Sequence, residues 1–316
     1  RVSSTQRRHP RVISAMTRQS VPGFETVRGV VHTNEPMSRH TSWRVGGPAR
    51  YFFIPAGRED LARFLQSLET DTPILWVGLG SNLLVRDGGF DGAVIATHRG
   101  LSKIERYGER EVLVQAGVPC ARLARFSNRH GLCGVEFMAG IPGTVGGALA
   151  MNAGAFGGET WQSVTQVELV NRRGEFTHPP VESFAAAYRE VTVADDHWFT
   201  SARFTLSCGD PDVGQARIRS LLTERGSRQP VQRASAGSVF RNPPDDHAAR
   251  LIEAAGLKGL RHGGAVVSSQ HANFIINEGT ASARDIETLI EMIRERVMDL
   301  LGVMLDPEVR FSGADR

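Results

Sequence analysis

The sequence predicts an α+β protein, and three observations lead to this fold class. Short apolar runs bounded by glycine and polar residues predict strands. Apolar residues at helical spacing predict helices between them, and the longest such run follows Ser282 and ends at Gly302. Two glycine-rich loops interrupt the pattern. With 316 residues, 41% of them hydrophobic, the chain can form two or three packed units.

The first hundred residues alternate strands with one helix. A strand is predicted within residues 44–54, and a short helix over 59–68 because its apolar residues share one face. Three short apolar runs then predict strands, and a loop at residues 78–82 separates the first two of them. These runs are Ile74–Val77, Leu83–Val85 and Ala93–Ala96.

Residues 100–208 mix regular elements with glycine-rich loops. A strand is predicted at Val112–Gln115, a helix at Cys120–Arg129, and a strand at residues 164–170 that leads to a turn. Glycine costs conformational entropy in a regular element. We therefore interpret residues 140–158 as an irregular surface where the backbone approaches another molecule closely.

The last hundred residues predict a compact α+β unit from 215 to 312. Residues 210–214 are interpreted as a polar linker that precedes it. Ser282 and Asp285 have the spacing of a capping box at the start of the long amphipathic helix. Short strands are predicted at residues 272–276 and 309–311.

Charge, hydropathy and cysteine content exclude several classes of protein. Residues 1–28 carry a net charge of +5 against +3 for the whole chain, so the remainder is close to neutral and a nucleic-acid-binding face is not expected. The segment has features of an organelle transit peptide, but a disordered extension dispensable for catalysis is favoured. No apolar run approaches the roughly 20 residues of a membrane helix. Three isolated cysteines predict neither a disulfide framework nor a metal site and fit the cytoplasm.

The loop at residues 78–82 has the composition of a phosphate-binding turn. It is not a dinucleotide-binding fingerprint of the Rossmann type, because Leu83 replaces the third glycine and a strand follows. Its backbone N–H groups, the Ser81 hydroxyl and the Asn82 amide can form a nest for phosphate oxygens. A simple tight turn is the alternative. The second glycine cluster favours the nest, because two such loops suit the pyrophosphate of a dinucleotide.

Together with later motifs, these loops make the chain resemble the UDP-N-acetylenolpyruvoylglucosamine reductase (MurB) family over residues 30–312. The motifs that carry the resemblance occur in the family's order: 78–82, 134–137, 140–147, 152–155, 188–189, 237–243, 254–259, 271–274 and 307–309. The resemblance implies an FAD-binding region of the PCMH type at residues 29–210, with subdomains 29–98 and 99–210. A smaller α+β substrate domain would occupy residues 215–312.

The family reduces the enolpyruvyl ether of UDP-N-acetylglucosamine to UDP-N-acetylmuramate, a peptidoglycan precursor, with NADPH and bound FAD. By resemblance, Arg189 and Glu308 stabilise an enolate-like intermediate and Ser238 supplies a proton. Three residues are candidates for the substrate's diphosphate or carboxylate: Arg225, Arg241 and Asn242. The residues expected at FAD are Val77, Gly78, Leu79, Gly80, Ser81, Asn82, Gly140, Ile141, Pro142, Gly143, Thr144, Gly146, Gly147, Asn152, Gly154 and Ala155.

Three features of the chain differ from the family pattern or mark one branch of it. Arg241 stands where the family often has lysine, and Val191 stands where it commonly has serine. The short segment 210–228 has no room for a tyrosine-bearing substrate loop, so the chain resembles the branch without one. The expected partners are small molecules only, with no nucleic acid, membrane insertion or obligate protein partner.

Two other functions are compatible with the same loops. One is an oxidase of sugar lactones or hydroxy acids, many of which attach FAD covalently through a histidine near the phosphate loop. Here the nearest downstream histidine is His98, which favours noncovalent FAD. The other is a flavin- or nucleotide-binding protein without turnover, against which the joint presence of Arg189, Ser238 and Glu308 argues.

Overall fold

The computed structural model describes residues 21–315, and a four-stranded sheet forms its first part. The strand order is β1-β2-β5-β3, with β1 antiparallel to β2 and the other neighbours parallel. Helix α1 packs its buried Leu61, Phe64 and Leu65 against the sheet. The elements are β1 (Val30–Pro36), β2 (Pro48–Ile54), α1 (Arg58–Ser67), β3 (Ile74–Val77), β4 (Leu83–Val85), β5 (Phe90–Ala96) and α2 (Thr97–Gly100), with a 3-10 turn at Met37–Arg39.

A five-stranded antiparallel sheet forms the second part, in the order β12-β11-β15-β7-β6. Helices α3 and α4 share its apolar core, in which Leu123 and Leu149 are fully buried. The elements are β6 (Ile104–Arg106), β7 (Glu111–Gln115), α3 (Cys120–Arg129), β8 (Leu132–Cys133), α4 (Val145–Met151), β9 (Gly154–Ala155), β10 (Gly158–Glu159), β11 (Val164–Asn171), β12 (Phe176–Thr177), β13 (Ala186–Ala187), β14 (Glu190–Val191), β15 (His197–Thr205) and β16 (Ser207–Cys208); 3-10 turns span Glu136–Gly140, Thr160–Ser163 and Val181–Ser183.

The third part packs helix α7 on a small antiparallel sheet, β17-β18-β19. Its core also contains Trp43 and Leu84 from the first part. The Trp43 indole N–H donates to the carbonyl of Ile275 at 2.7 Å, and the Asn277 amide donates to the carbonyl of Trp43 at 2.8 Å. Helix α5 (Pro211–Arg228) packs on the second part, with Ile218 in that core. The elements of the third part are α6 (Ala248–Ala254), β17 (Arg261–His262), β18 (Ala265–Val267), β19 (Ile275–Asn277), α7 (Ala283–Leu301) and β20 (Arg310–Ser312).

The last strand returns to the first part of the chain. Strand β20 pairs in parallel with β4, with Arg310 opposite Leu83 and Ser312 opposite Val85. Because β4 directly follows the loop at 78–82, this pairing brings the segment before β20 to that loop. The domain boundaries predicted from the sequence stay a prediction, but residues from both ends of the chain share one core.

The chain is already ordered in the core before residue 28. Phe24 is 7% exposed and stacks on Phe64 with ring centroids 5.0 Å apart. The buried Asp60 carboxylate accepts hydrogen bonds from the backbone N–H groups of Gly29 and Ala56. A disordered extension to residue 28 is therefore wrong for residues 21–28, because an aromatic side chain there is buried. Residues 1–20 lie outside the described part of the chain.

Three further expectations need correction. Residues 210–214 are not a linker, because Asp210 caps α5 and Pro211 begins it, the usual roles of these residue types. The second glycine cluster is not wholly irregular, since Gly146 and Gly147 lie in the first turn of α4. The strand expected at 272–276 begins only at Ile275.

Several local predictions are confirmed. Helix α3 and strands β3 and β4 have the predicted bounds. The capping box at Ser282 and Asp285 is present, and Gly302 ends α7 in the left-handed region with φ of 70°.

Within residues 21–315, no helix is long and apolar enough to span a membrane, and no cluster of metal-binding side chains occurs.

We expect Phe24→Ala to lower the free energy of unfolding by about 3 kcal/mol, because it empties a buried aromatic site. Urea denaturation of the purified protein measures this change. Val213→Ala is the control, since Val213 is 67% exposed and should change stability by less than about 0.5 kcal/mol. Equal stability of the two variants would contradict burial of Phe24.

Candidate functional site

A cleft of about 810 Å³ runs between the three parts of the structure. The loops at 78–82 and 140–147 line it from the first and second parts. The β13–β14 turn, Ser238 with four of its neighbours, and Glu308 also line it. Several of the sequence motifs therefore meet in one place, although more than 200 residues separate some of them.

The loop at 78–82 packs tightly on the segment that precedes it. Gly80 has φ of 63°, and a Cβ there would overlap the carbonyl oxygen of His40. The Gly80 carbonyl accepts a hydrogen bond from the Ser42 backbone at 3.0 Å. The backbone N–H groups of residues 79–81 donate to no acceptor within residues 21–315. The loop lines the cleft, and these N–H groups are available as donors, which is the property that the predicted nest requires.

The glycines of the second loop are of two kinds. Gly146 donates its N–H to the carbonyl of Ala116 at 2.8 Å, and a Cβ on it would lie 2.8 Å from the Cβ of Ala116. By contrast, a Cβ on Gly143 or Gly147 would make only ordinary van der Waals contacts, the nearest at 3.5 Å and 3.9 Å respectively. Gly146 therefore serves packing, while Gly143 and Gly147 leave room in the cleft.

The Asn82 side chain connects the first loop to Glu308. Its amide donates to the Glu308 carbonyl at 3.0 Å and to the sulfur of Met151 at 3.2 Å. Asn82 lines the cleft, but its amide protons are already used within the protein. The predicted contact of this amide with phosphate stays a prediction, and in this structure the amide bonds to protein atoms.

Arg189 and Glu308 form an ion pair at the cleft. The Arg189 Nε donates to Glu308 Oε1 at 3.2 Å, and Nη2 donates to the carbonyl of Gly154 at 3.0 Å. Their side chains are 19% and 14% exposed. Arg189 lies in the two-residue turn between β13 and β14 with φ of 59°, a conformation costly for a residue with a side chain.

Burial and charge act on Glu308 in opposite directions. Burial raises the pKa of its carboxyl above the usual value, while the neighbouring Arg189 and Arg241 lower that pKa. Burial is the largest effect and the net direction is upward. The carboxyl therefore holds its proton to a higher pH than an exposed glutamate does.

Ser238 faces the same cleft from the segment that pairs with Glu308. The Val239 carbonyl accepts from the Glu308 N–H at 2.8 Å, and the Val239 N–H donates to the Asn273 carbonyl at 2.9 Å. The buried Asn273 side chain also exchanges two hydrogen bonds with the backbone of Phe240. The Ser238 hydroxyl is half-buried and bonds to no other residue within 21–315, so it is available to a ligand.

Most predicted site residues line this cleft, but two do not. Asn152 is 2% exposed, and its amide bonds to Glu159 and to the carbonyl of Ala187. Arg241 lies beside Glu190 and Asp306 instead. The predicted contact of Asn152 with a cofactor stays a prediction, although its side-chain amide is bonded inside the protein.

The predicted substrate residues differ in their surroundings. Arg225 lines the cleft, burial lowers the pKa of its guanidinium, and it has no carboxylate partner within residues 21–315. Its Nε donates to the Gln229 side chain at 3.1 Å. Asn242 also lines the cleft, although its Oδ1 accepts from the backbone of Ala248 at 3.1 Å. Arg225 is thus a partly buried cation available to an anion.

Several cleft residues were not predicted from the sequence. Tyr188 is 47% exposed, with the Arg189 guanidinium 4.9 Å from its ring centre. Arg310 follows Glu308 by two residues and shares the cleft, as do Trp76 and Trp198, whose rings stack 5.4 Å apart. The sequence offered three signals for these residues. Tyr188 is adjacent to Arg189, Arg310 is close to Glu308, and Trp76 lies in the strand that leads into the first loop.

Comparisons with known proteins agree with this geometry. The family model "UDP-N-acetylenolpyruvoylglucosamine reductase, C-terminal domain" matches residues 229–312, and an "FAD binding domain" model matches residues 49–178. The reductase of Methylococcus capsulatus is 54% identical over 286 residues, 90% of this chain and 94% of the relative. That of Alkalilimnicola ehrlichii is 56% identical over 279 residues, 88% and 93% of the two chains.

A solved structure extends the agreement to the fold. The UDP-N-acetylenolpyruvylglucosamine reductase of Thermus caldophilus aligns with a TM-score of 0.77 and 34% identity, covering 90% of this chain and 99% of that one. Sequence, domain order and fold all lead to the same assignment. The chain belongs to the UDP-N-acetylenolpyruvoylglucosamine reductase family.

Proposed function

We propose that Arg189, Ser238 and Glu308 are the catalytic residues with which this FAD-dependent enzyme reduces UDP-N-acetylenolpyruvoylglucosamine. The reductant is NADPH, and the product, UDP-N-acetylmuramate, is a peptidoglycan precursor. The single observation that carries the proposal is the buried Arg189–Glu308 pair at 3.2 Å in a cleft that Ser238 also lines. Each of these groups suits one step of adding hydrogen across an enol ether.

The residues of the glycine loops fit an FAD molecule. The free N–H groups of residues 79–81 suit pyrophosphate oxygens, and the open space beside Gly143 and Gly147 admits a ligand close to the backbone. FAD, when bound, supplies the capacity to accept a hydride from NADPH and to deliver it to carbon. We propose noncovalent binding, since the loop at 78–82 contains neither histidine nor cysteine.

Hydride addition to the terminal carbon of the enolpyruvyl group leaves negative charge on the adjacent carbon and its carboxylate. The Arg189 guanidinium can stabilise that charge, because its hydrogen bonds to Glu308 and Gly154 use only part of its five N–H groups. Glu308, when protonated, can donate its O–H to an oxygen of the same intermediate. Its raised pKa favours the protonated form needed for that bond.

Protonation of the carbon next to the carboxylate then completes the reduction. Ser238 is the candidate donor, because its hydroxyl lines the cleft and is not bonded to another described residue. An unperturbed hydroxyl is a poor acid. The nearby cation Arg189 and the strong basicity of the carbanion both favour the transfer.

The UDP part of the substrate needs cationic partners. Arg225 suits the diphosphate, because it is a partly buried guanidinium without a carboxylate partner in the described chain. We assign Asn242 a supporting contact with the substrate in the cleft. Arg241 lies outside the cleft lining, so we propose that it acts on Glu308 through its charge and not by direct substrate contact.

We further propose that the enzyme works in the cytoplasm without an obligate protein partner. Both of its substrates are small nucleotides, and residues of this chain line the cleft. The three cysteines, Cys120, Cys133 and Cys208, are free thiols, which fits a reducing compartment.

A single assay separates turnover from simple flavin binding. Denatured protein should release FAD, and NADPH oxidation should require UDP-N-acetylenolpyruvoylglucosamine. Flavin release without substrate-dependent oxidation would favour a binding protein. Oxygen-dependent turnover of sugar lactones would favour the oxidase alternative.

We expect Gly147→Val to weaken FAD binding at least tenfold, because its side chain would occupy space in the cleft without overlapping protein atoms. Flavin fluorescence titration of apoprotein measures the affinity, and thermal denaturation measures stability. Gly226→Val is the control, since Gly226 is exposed and also has open space around it. Gly80→Val and Gly146→Val should instead lower stability, because their side chains would overlap protein atoms. Unchanged flavin affinity in Gly147→Val would show that FAD lies elsewhere.

We expect Ser238→Ala to slow reoxidation of the reduced enzyme by substrate by roughly 10²- to 10⁴-fold, the usual loss of a general acid. Bleaching of the flavin by NADPH should be unchanged, because that step needs no proton from Ser238. Stopped-flow absorbance resolves the two half-reactions. Ser235→Ala, in the same segment but outside the cleft lining, is the control. Slow bleaching with normal reoxidation would refute the role.

We expect the rate of reoxidation by substrate to fall as pH rises through the pKa of Glu308. That pKa is raised by burial, so the protonated donor is lost above the pH usual for a glutamate. In Glu308→Gln the amide donor does not titrate, and this fall should disappear. Glu105→Gln is the control, since Glu105 is exposed on β6 and does not line the cleft. An identical fall in Glu308→Gln would assign the titration to another group.

A further inference from the structure

Asn152 occupies a strained and fully bonded position at the end of α4. Its backbone is left-handed, with φ of 42°. Its side-chain Nδ2 donates to Glu159 Oε2 at 2.9 Å and to the Ala187 carbonyl at 3.2 Å, while Oδ1 accepts from the Trp161 N–H at 3.1 Å. Such a conformation persists where the surroundings determine it. All the polar atoms of this side chain are therefore committed to protein partners.

These bonds lead to Arg189 by two short routes. Ala187 is the last residue of β13 and pairs with Glu190 across the turn that holds Arg189. Glu159 pairs in β9–β10 with Gly154, whose carbonyl accepts from Arg189 Nη2 at 3.0 Å. The Asn152 amide thus bonds to two hairpins. The β13–β14 hairpin carries the Arg189 backbone, and the β9–β10 hairpin supplies the carbonyl that bonds to its guanidinium.

We propose that Asn152 is a positioning residue that holds Arg189 in the orientation in which its guanidinium reaches Glu308. The inference rests on the catalytic roles proposed above for Arg189 and Glu308. It replaces the sequence-based expectation that Asn152 contacts the cofactor.

The hairpin has little support from strand pairing. Within residues 21–315, strands β13 and β14 have two residues each and pair with no other strand, and Val191 packs on the core of the second part. A hairpin of two short strands is marginally stable by itself, so further bonds to its backbone help to hold the turn. Its turn also carries Arg189 in the left-handed region. An amide that bonds the Ala187 carbonyl opposes relaxation of this turn, which would withdraw Arg189 from Glu308.

Loss of the tie has a consequence for titration at Glu308. The charged groups around its carboxyl are Arg189 from the hairpin and Arg241, which is itself paired with Glu190 and Asp306. Arg310 comes two residues after Glu308, at the start of β20. Glu159 lies on β10 and accepts the hydrogen bond from the Asn152 amide. If Arg189 withdraws, the remaining effect of burial moves the pKa of Glu308 further upward. The pH at which reoxidation slows should therefore increase.

Two variants isolate the amide from the backbone requirement. Asn152→Gly keeps the left-handed conformation without strain and removes all side-chain bonds. Asn152→Asp keeps the shape and the acceptor for Trp161 but removes the donor and places a carboxylate against Glu159. Asn128→Asp is the matched control, a buried asparagine in α3 whose amide donates to the Pro211 carbonyl at 3.0 Å away from the cleft.

In both Asn152 variants we expect FAD affinity and flavin bleaching by NADPH within about threefold of wild type. Reoxidation by substrate should slow by about 10²-fold, the scale of a small misplacement of a catalytic group. The pH at which reoxidation declines should move upward. Asn128→Asp should lower thermal stability without moving that profile.

Three results would overturn the proposal. Wild-type reoxidation and pH profile in Asn152→Gly would show that Asn152 is only a helix terminator. Loss of FAD affinity with an unmoved pH profile would restore the cofactor contact. A lower melting temperature with an unmoved profile would show a merely structural role. Arg189→Gln is measured in parallel: normal reoxidation in it refutes the role of Arg189 itself, whereas slow reoxidation beside a normal Asn152→Gly refutes the positioning role alone.

Discussion

The parallel pairing of β4 with β20 is the contact on which the site depends. It sets Arg310 opposite Leu83, so that Glu308 lies beside the end of the loop at 78–82. The Arg310 N–H donates to the Asn82 carbonyl at 3.1 Å, and the Asn82 amide donates to the Glu308 carbonyl across 226 residues of chain. Ordering so long a connection costs entropy, which the shared core around Leu84, Trp43 and Val309 offsets by removing apolar surface from water.

The same pairing determines the electrostatics of the cleft. Glu308 is buried by elements from both ends of the chain, and burial alone would disfavour its charged form. Arg189 arrives from a separate hairpin and Arg241 from the segment before α6, and both oppose that effect. The net effect raises the pKa of the carboxyl, and the groups that produce it come from segments far apart in the sequence. In the role proposed for Glu308, this raised pKa favours the protonated form that donates a hydrogen bond.

The residues of the cofactor motifs divide by what they touch. Gly143, Gly147 and the N–H groups of 79–81 leave space or donors for a ligand. Gly80 and Gly146 allow close contact between backbones, and the amides of Asn82 and Asn152 bond to protein atoms. A motif of this kind thus contains both the contact surface and the framework that shapes it. Substitutions at Gly143 or Gly147 should mainly change FAD affinity, whereas substitutions at Gly80 or Gly146 should mainly lower the stability of the fold.

The sequence by itself determined the elements whose signals lie within a few residues. Strands β3 and β4, helix α3, and the capped start and glycine end of α7 follow from apolar spacing and end-capping residues. Resemblance to the family supplied Arg189, Ser238 and Glu308, whose residue types alone carry no such signal. Tertiary structure decided the burial of Phe24, the internal use of Asn82 and Asn152, and the place of Arg241 outside the cleft. Each of these depends on which distant segments meet, and local propensity does not encode that.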